Sequence, residues 1–242
     1  MREFVAQAVG AKYLVPLHAT ADRLTADLWD RLPPSFMLKP NHGSSWAWLI
    51  QDKNREHFDR ISRIAHNWLR MNYYHYYRES QYKNVKPVLL FEQVLNGSQV
   101  DALVDYKFFC FHGKAQMVYV LRQRPSKSRL LYDLSWNKLN VRYKVSNDGH
   151  FPRPAALDEM RSVAETLAQG FDFVRVDLFS TQEGVFFGEL TFTPLTGSDS
   201  FDPPEFDDYL GSLWADAGAN RACDFSPWHV VAPQTGERGA AD

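Results

Sequence analysis

The chain has 242 residues, 45% of them apolar and 23% charged, with a formal charge of −2. That is enough apolar side chain for a sizeable core, so the composition excludes a disordered chain. The near-neutral balance excludes a general attraction to nucleic acid or anionic membrane, so any anion site must come from local arrangement.

The opening residues, MREFVAQAVG, predict a short helix, followed by YLVPL and a linker closed by Pro33 and Pro34. They carry acid and lack a small-residue cleavage site behind an apolar run, so no secretory signal is expected. The longest apolar runs, such as PVLLFEQVL, are too short to span a bilayer, and no transmembrane segment is expected. Two cysteines, Cys110 and Cys223, fit a reduced cytoplasmic protein.

SFMLKPNHGSSWAWLIQDK predicts a strand, a turn at Gly43 and a second strand. Lys39 stands alone among apolar neighbours at the end of the first strand, and Gly43, Ser44 and Ser45 follow. A lysine with backbone and hydroxyl donors in a small turn suits a polyphosphate. It also suits an ordinary strand end. The G-x-x-x-x-G-K-[ST] spacing is absent. Phe58, Ile61, Ala65, Trp68 and Asn72 then recur at helical spacing, widened by Ile64, Leu69 and Met71, and predict an amphipathic helix. RMNYYHYYRESQYK mixes bases and aromatics as single-strand binders do. Because it directly follows the helix stripe, its tyrosines are expected to pack beside that helix, and no nucleic-acid partner is expected.

KPVLLFEQVL, DYKFFCFHG and AQMVYVLRQ predict three strands, with loops at Asn96-Gly97 and His112-Gly113-Lys114. Glu92 lies inside an apolar run and needs a partner. That partner is either an adenine amino group or ribose hydroxyl, or an ordinary cross-strand cation such as Lys107. LRQRPSKSR is locally basic. Arg122, Arg124, Lys127 and Arg129 either greet an anionic substrate or solvate a loop. LDEMRSVAETLAQG predicts a helix stopped by Gly170.

FVRVDLFSTQEGVFFGELTFTP predicts a hairpin with a three-residue loop, Gln182-Glu183-Gly184. Pairing Thr181 with Val185 sets Asp177 opposite Glu189 and Arg175 opposite Thr191. Opposed residues lie about 5 Å apart at Cβ, and like charges there destabilise a sheet. A divalent cation would compensate, because Mg²⁺ takes one or two carboxylates together with phosphate oxygens. A solvated acidic face is the ordinary alternative. FDPPEFDDYLGSLWADAG predicts a last helix with Asp202 as N-cap and Pro203 at its first position. PQTGERGAAD reads as a frayed tail. No HExxH or paired Cys/His spacing, G-x-S-x-G elbow or G-x-G-x-x-G fingerprint is present. Strand runs broken by two or three helices give an α+β class.

Taken in order, LKPNHGSS, YKNVKPVLLFEQVL, DYKFFCFHG and FVRVDLF…FGELTFTPLTG resemble the TupA-like ATP-grasp family, which is associated with teichuronopeptide biosynthesis. The likeness runs from Arg2 to Gly211. It implies an ATP-grasp fold, two lobes whose antiparallel sheets clasp ATP, with a truncated N-terminal domain. The implied divisions are an N-terminal remnant and linker over 1–35, a small lobe with a lid loop over 36–95, a large lobe with the metal site over 96–230 and a flexible tail over 231–242.

The resemblance further implies that Lys39 and Lys107 hold phosphates and that Ser44 and Ser45 lie in the lid. Glu92, Gln93, Val94 and Leu95 would form the adenine hinge. Arg175 would touch a phosphate or the reacting carboxylate. Asp177 and Glu189 would bind Mg²⁺. Thr191 stands where many ATP-grasp ligases have a metal-binding asparagine, and its hydroxyl is a weaker ligand. The implied activity is a carboxylate–amine ligase working through an acyl phosphate, with the acid expected to be a uronic acid of a surface polysaccharide. The alternatives are an ATP-grasp kinase and a non-catalytic nucleotide-binding subunit. About 35 residues precede the lysine strand, fewer than an intact N-terminal substrate domain of the superfamily. The acceptor site is therefore expected to be rebuilt from other segments or completed by a partner subunit or second copy.

Overall fold

A computed structural model describes residues 1–95, 103–123, 127–143, 149–215 and 223–230. The Asn96-Gly97 loop, Arg124 and the 231–242 tail lie outside the described residues.

The first lobe is a four-stranded antiparallel sheet. Its strands are β1 (Leu17–Ala21), β2 (Phe36–Pro40), β3 (Trp48–Ile50) and β4 (Leu89–Glu92), in the order β1-β4-β2-β3. β2 alternates strictly, with Phe36 and Leu38 buried and Met37 and Lys39 on the other face. Helix α2 (Ala26–Arg31) and helix α3 (Phe58–Arg70) cover the greasy face. Trp29, Ile61 and Ala65 pack there against Phe36, Leu38 and Phe91. Thr25 caps α2 by accepting from the Leu28 amide at 3.2 Å. The far end of α2 is closed by Lys53, whose ammonium donates to the carbonyls of Trp29, Asp30 and Leu32.

The second lobe is a five-stranded antiparallel sheet in the order β10-β9-β5-β6-β7. Its strands are β5 (Val104–Phe111), β6 (Lys114–Arg122), β7 (Ser128–Asp133), β9 (Phe173–Thr181) and β10 (Gly184–Thr191). One face carries Phe108, Val118, Val120, Val174, Val176 and Leu178, buried under helix α5 (Leu157–Leu167). The opposite face is divided. Phe109, Met117 and Phe173 are covered by helix α6 (Glu205–Ala215) and its neighbours. The rest of that face carries Asp105, Lys107, Arg175, Asp177 and Glu189 beside apolar side chains such as Leu121 and Phe179.

Several elements differ from the sequence expectation. Residues 1–35 contact both sheets. Helix α1 (Arg2–Ala8) and Tyr13 pack into the core of the five-stranded sheet through Val5 and Tyr13, while β1 pairs with β4 of the other sheet. β1 escapes a local reading because His18 and Thr20 alternate with only small or half-buried residues. β7 is also unanticipated, because its apolar run sits directly behind a basic loop. Asp202 is not an N-cap. It lies in β11 (Phe201–Asp202), pairs with β8 (Arg142–Tyr143) and forms an ion pair with Arg142. The helix begins at Glu205.

The hairpin reaches the expected pairing by another path. Thr181 pairs with Gly184, so the loop is shorter by one residue than expected, and the register shifts between Phe187 and Glu189. The extra residue is Gly188, where an added Cβ would lie 3.1 Å from the Asp177 carbonyl oxygen. This bulge restores Glu189 opposite Asp177 and Thr191 opposite Arg175.

Candidate active site

The polar part of the five-stranded sheet is assembled by register. Lys107 pairs with Asp177, and Asp177 with Glu189, so three charged residues stand in a row across β5, β9 and β10. Arg175 and Thr191 form the next row, and Asp105 lies two residues before Lys107 on the same face. Asp177 is 1% exposed and accepts from three donors. Arg175 gives it Nε and Nη2, both at 2.7 Å, and Lys107 gives Nζ. Arg175 Nη2 also donates to Thr191 Oγ1 at 3.0 Å and Glu189 Oε1 at 3.3 Å. Lys107 Nζ reaches Asp105 Oδ2 at 2.5 Å.

Two cations thus separate three carboxylates. The acids opposed across the hairpin are compensated in this structure by Lys107 and Arg175. Burial opposes ionisation of Asp177, but Lys107 and Arg175 overcome it and hold its carboxyl below the usual range. Burial pushes Asp105 up to about 6 against the pull of Lys107, and its buried Oδ1 has no hydrogen-bond partner. Burial lowers Lys107, yet Asp177 and Asp105 more than reverse this and carry it to about 12. Desolvation and then the Asp177 charge push Glu189 up to about 7. Its side chain keeps 45% of its surface accessible, so solvent screening trims that push.

The four-stranded sheet carries a second, looser pair. Lys39 Nζ lies 2.7 Å from Glu92 Oε2, and Arg2 lies 3.6 Å from Oε1. The partner of Glu92 is therefore Lys39, and Lys107 belongs to the other array. Diagonal placement on β2 and β4 accounts for this, since Glu92 pairs with Met37 and Lys39 with Leu90. Past Glu92, the Gln93 amide donates to the Pro16 carbonyl at 2.9 Å. The Gln93 side chain reaches Glu183 of the other lobe at 3.0 Å. Leu95 is buried with Val15 and Phe186, while Val94 is half-buried.

The turn after β2 is anchored by residues the sequence reading passed over. Asn41 exchanges hydrogen bonds with Val88 and donates to the Lys86 carbonyl. His42 is buried and donates from Nε2 to the Trp68 and Met71 carbonyls at the end of α3. Trp46 packs edge-on against Tyr73, which stacks on Tyr77 and meets Tyr82. A Cβ at Gly43 would lie 2.5 Å from the Trp46 ring, so the glycine makes room for that indole. Ser45 takes a left-handed φ of 63°. Burial raises the phenols of Tyr73 and Tyr82, and Glu189 adds to both, as does Glu79. These rings form one aromatic cluster at the turn after β2.

The donor set around Asp177 suits a hard cation: oxygens only, from two carboxylates on adjacent strands and a hydroxyl. Among the described residues no cluster of three or more His, Cys, Asp or Glu side chains is arranged to hold a metal. Glu189 would be the accessible ligand for such a cation, and Asp177 could join only by exchanging a donor from Lys107 or Arg175.

Two antiparallel sheets thus each present a lysine and a buried carboxylate from one face. The chain belongs to the TupA-like ATP-grasp family, whose model matches residues 1–215. Comparison with curated protein sequences gives no match. Among solved structures, the D-alanine–D-alanine ligase from Bacillus anthracis complexed with ATP shares 14% identity at a TM-score of 0.46, covering 89% of this chain and 62% of that one. The ATP-grasp ligase PsnB, complexed with minimal precursor, Mg and ADP, shares 12% identity at 0.43, covering 88% and 56%. The biotin carboxylase domain of the Hydrogenobacter thermophilus 2-oxoglutarate carboxylase, complexed with MgADP, ADP and bicarbonate, shares 13% at 0.44, covering 78% and 38%. This chain thus spans less than two thirds of the length of each. Among the described residues no helix is long and apolar enough to cross a membrane.

Proposed function

We propose that the protein is an ATP-dependent carboxylate–amine ligase using Mg²⁺. The observation that carries this reading is the array of buried Lys107, Asp177 and Arg175 with the accessible Glu189 on one face of the five-stranded sheet. Phosphoryl transfer needs positioning and charge neutralisation more than covalent chemistry from the protein. Lys39 and Lys107 would hold phosphates, Ser44 and Ser45 would close over them, and Glu92 to Leu95 would meet the adenine.

Magnesium held by Glu189 and Asp177, with Thr191 beside them, would neutralise charge on the transferred group. Incoming phosphate oxygens compete with Asp177 for Lys107 and Arg175, which frees carboxylate oxygens that the two cations now cover. A substrate carboxylate then attacks the γ-phosphorus, ADP leaves, and Arg175 stabilises the charge that develops. The amine attacks the acyl carbon, and phosphate departs. The turn at Gly43 would exclude water from the acyl phosphate.

We take the acid to be a uronic acid of a surface polysaccharide and the amine an amino acid, in line with the family's teichuronopeptide association. The free pair of cysteines supports a reduced, cytoplasmic setting, and a partner subunit or second copy would complete the acceptor site. Release of ADP, measured with Mg²⁺ against panels of acids and amines, tests the activity. The reading expects turnover that depends on both substrates. Turnover indifferent to every acceptor sinks it, and turnover with acid alone indicates a kinase.

A further inference from the structure

Among the described residues, the basic stretch behind β6 sends Arg129 to the face of Lys107. Arg129 pairs with Leu121, Leu121 with Asp105, and Asp105 with Phe179, so all four side chains share the face of Lys107 and Asp177. Neighbouring strands lie about 4.8 Å apart, which sets the Arg129 backbone about 10 Å from that of Asp105. An extended arginine spans much of that distance. Arg129 is half-buried, and its Nε is buried without a hydrogen-bond partner. Among the described residues it forms no ion pair, whereas Arg175 on the same face has two carboxylates.

Two phenols stand beside it. Tyr119 lies between Lys107 and Leu131 in register, and its ring meets Tyr143 edge-on at 5.2 Å. Burial raises the Tyr119 phenol, and the cation opposing this most strongly is Arg129, ahead of Lys107 and Arg175. Burial also raises Tyr143, with Arg175 and then Arg129 among the charges that oppose it. Tyr119 therefore stands beside Lys107 and diagonal to Arg129, with Tyr143 packed against its ring.

A guanidinium held partly out of water with an unused donor is costly. Its planar fork is matched by a carboxylate. We propose that Arg129, flanked by Tyr119 and Tyr143, anchors the carboxylate of the amino-bearing co-substrate and so points its amine toward the Lys107–Arg175 array. This rests on the ligase reading. It assigns to that reading an amino-acid subsite separate from the groups that handle phosphate.

The test is equilibrium binding of the twenty standard amino acids and their α-carboxamides to the protein loaded with Mg²⁺ and AMPPNP. The native protein should prefer at least one free acid over its amide by about tenfold or more. Arg129→Gln should abolish that preference. Arg129→Lys, which keeps the charge but loses the fork, should retain part of it. Binding of AMPPNP and thermal unfolding check that each variant is folded, and if the glutamine variant is not, the lysine variant decides. Full acid-over-amide preference in the folded variants overturns the inference. So does a native protein that takes the nucleotide but no amino acid. Failure of the native protein to bind AMPPNP with Mg²⁺ instead overturns the ligase reading itself.

Discussion

Lys39 with Glu92 and Lys107 with Asp177 are the same two charges, each on the polar face of an antiparallel sheet, held at different depths. The Lys39 side chain is 32% exposed, and its partner has a second cation, Arg2, close by. The Lys107 side chain is 10% exposed and serves two carboxylates, one of them almost wholly buried. The shallow pair can give its lysine to an incoming anion at little cost. The deep pair cannot lose a member without leaving uncompensated charge in the interior, so there the ligand must exchange for a partner that is already satisfied.

That contrast is broken or sharpened by mutation. Lys107→Met should destabilise the protein by about 3–5 kcal/mol in urea unfolding, because it strands the buried Asp105 and leaves Asp177 to Arg175 alone. Lys39→Met should cost only about 1–2 kcal/mol, since Arg2 remains near Glu92. Equal losses at both sites would show that depth is not the controlling variable. Glu189→Gln keeps the shape and removes the accessible carboxylate. It should leave stability within about 1 kcal/mol while lowering Mg²⁺-dependent ADP release about 100-fold or more.

The deep array should also show in the pH dependence of stability of protein kept in chelator. The folded-state values of Asp105 and Glu189 are raised to about 6 and about 7. Between the ordinary carboxylate range, near pH 4, and those values, the folded protein holds protons that the unfolded chain has lost. Stability should therefore fall as pH rises through that window. Asp105→Asn should flatten the fall by up to about 1.4 kcal/mol per pH unit. Asp177 has the opposite sign. Its depressed value adds stability above the ordinary carboxylate range, lost as the medium becomes more acid. A profile flat from pH 4 to 7 in both proteins would contradict the burial of Asp105. Gly188→Ala probes the bulge that sets the register of the deep array. The new methyl meets the Asp177 carbonyl oxygen and the Phe179 ring, each at 3.1 Å. A cost of about 1–2 kcal/mol in thermal unfolding is expected.

Much of the deep array was legible because it is periodic. Arg175 and Asp177 alternate with Val174, Val176 and Leu178, and a two-residue period assigns faces without knowledge of any neighbour. The opposition of Asp177 and Glu189 was also legible, although the chain reaches it through a tighter loop and a bulge at Gly188. Lys39 at the end of a strand, with its Gly-Ser turn, was legible for the same local reason.

What the sequence by itself determined, then, was which side chains share a face within each strand, and that the two acids of the hairpin meet. The tertiary structure alone decided that Lys107 belongs to Asp177 while Glu92 takes Lys39, that β1 joins β4, that His42 closes the end of α3, and that Arg129 reaches the same face as Lys107. The reason is geometric. Alternation along a strand is set by the backbone over two residues. Pairing between strands separated by tens of residues is set by the sheet order β10-β9-β5-β6-β7, which no local period encodes.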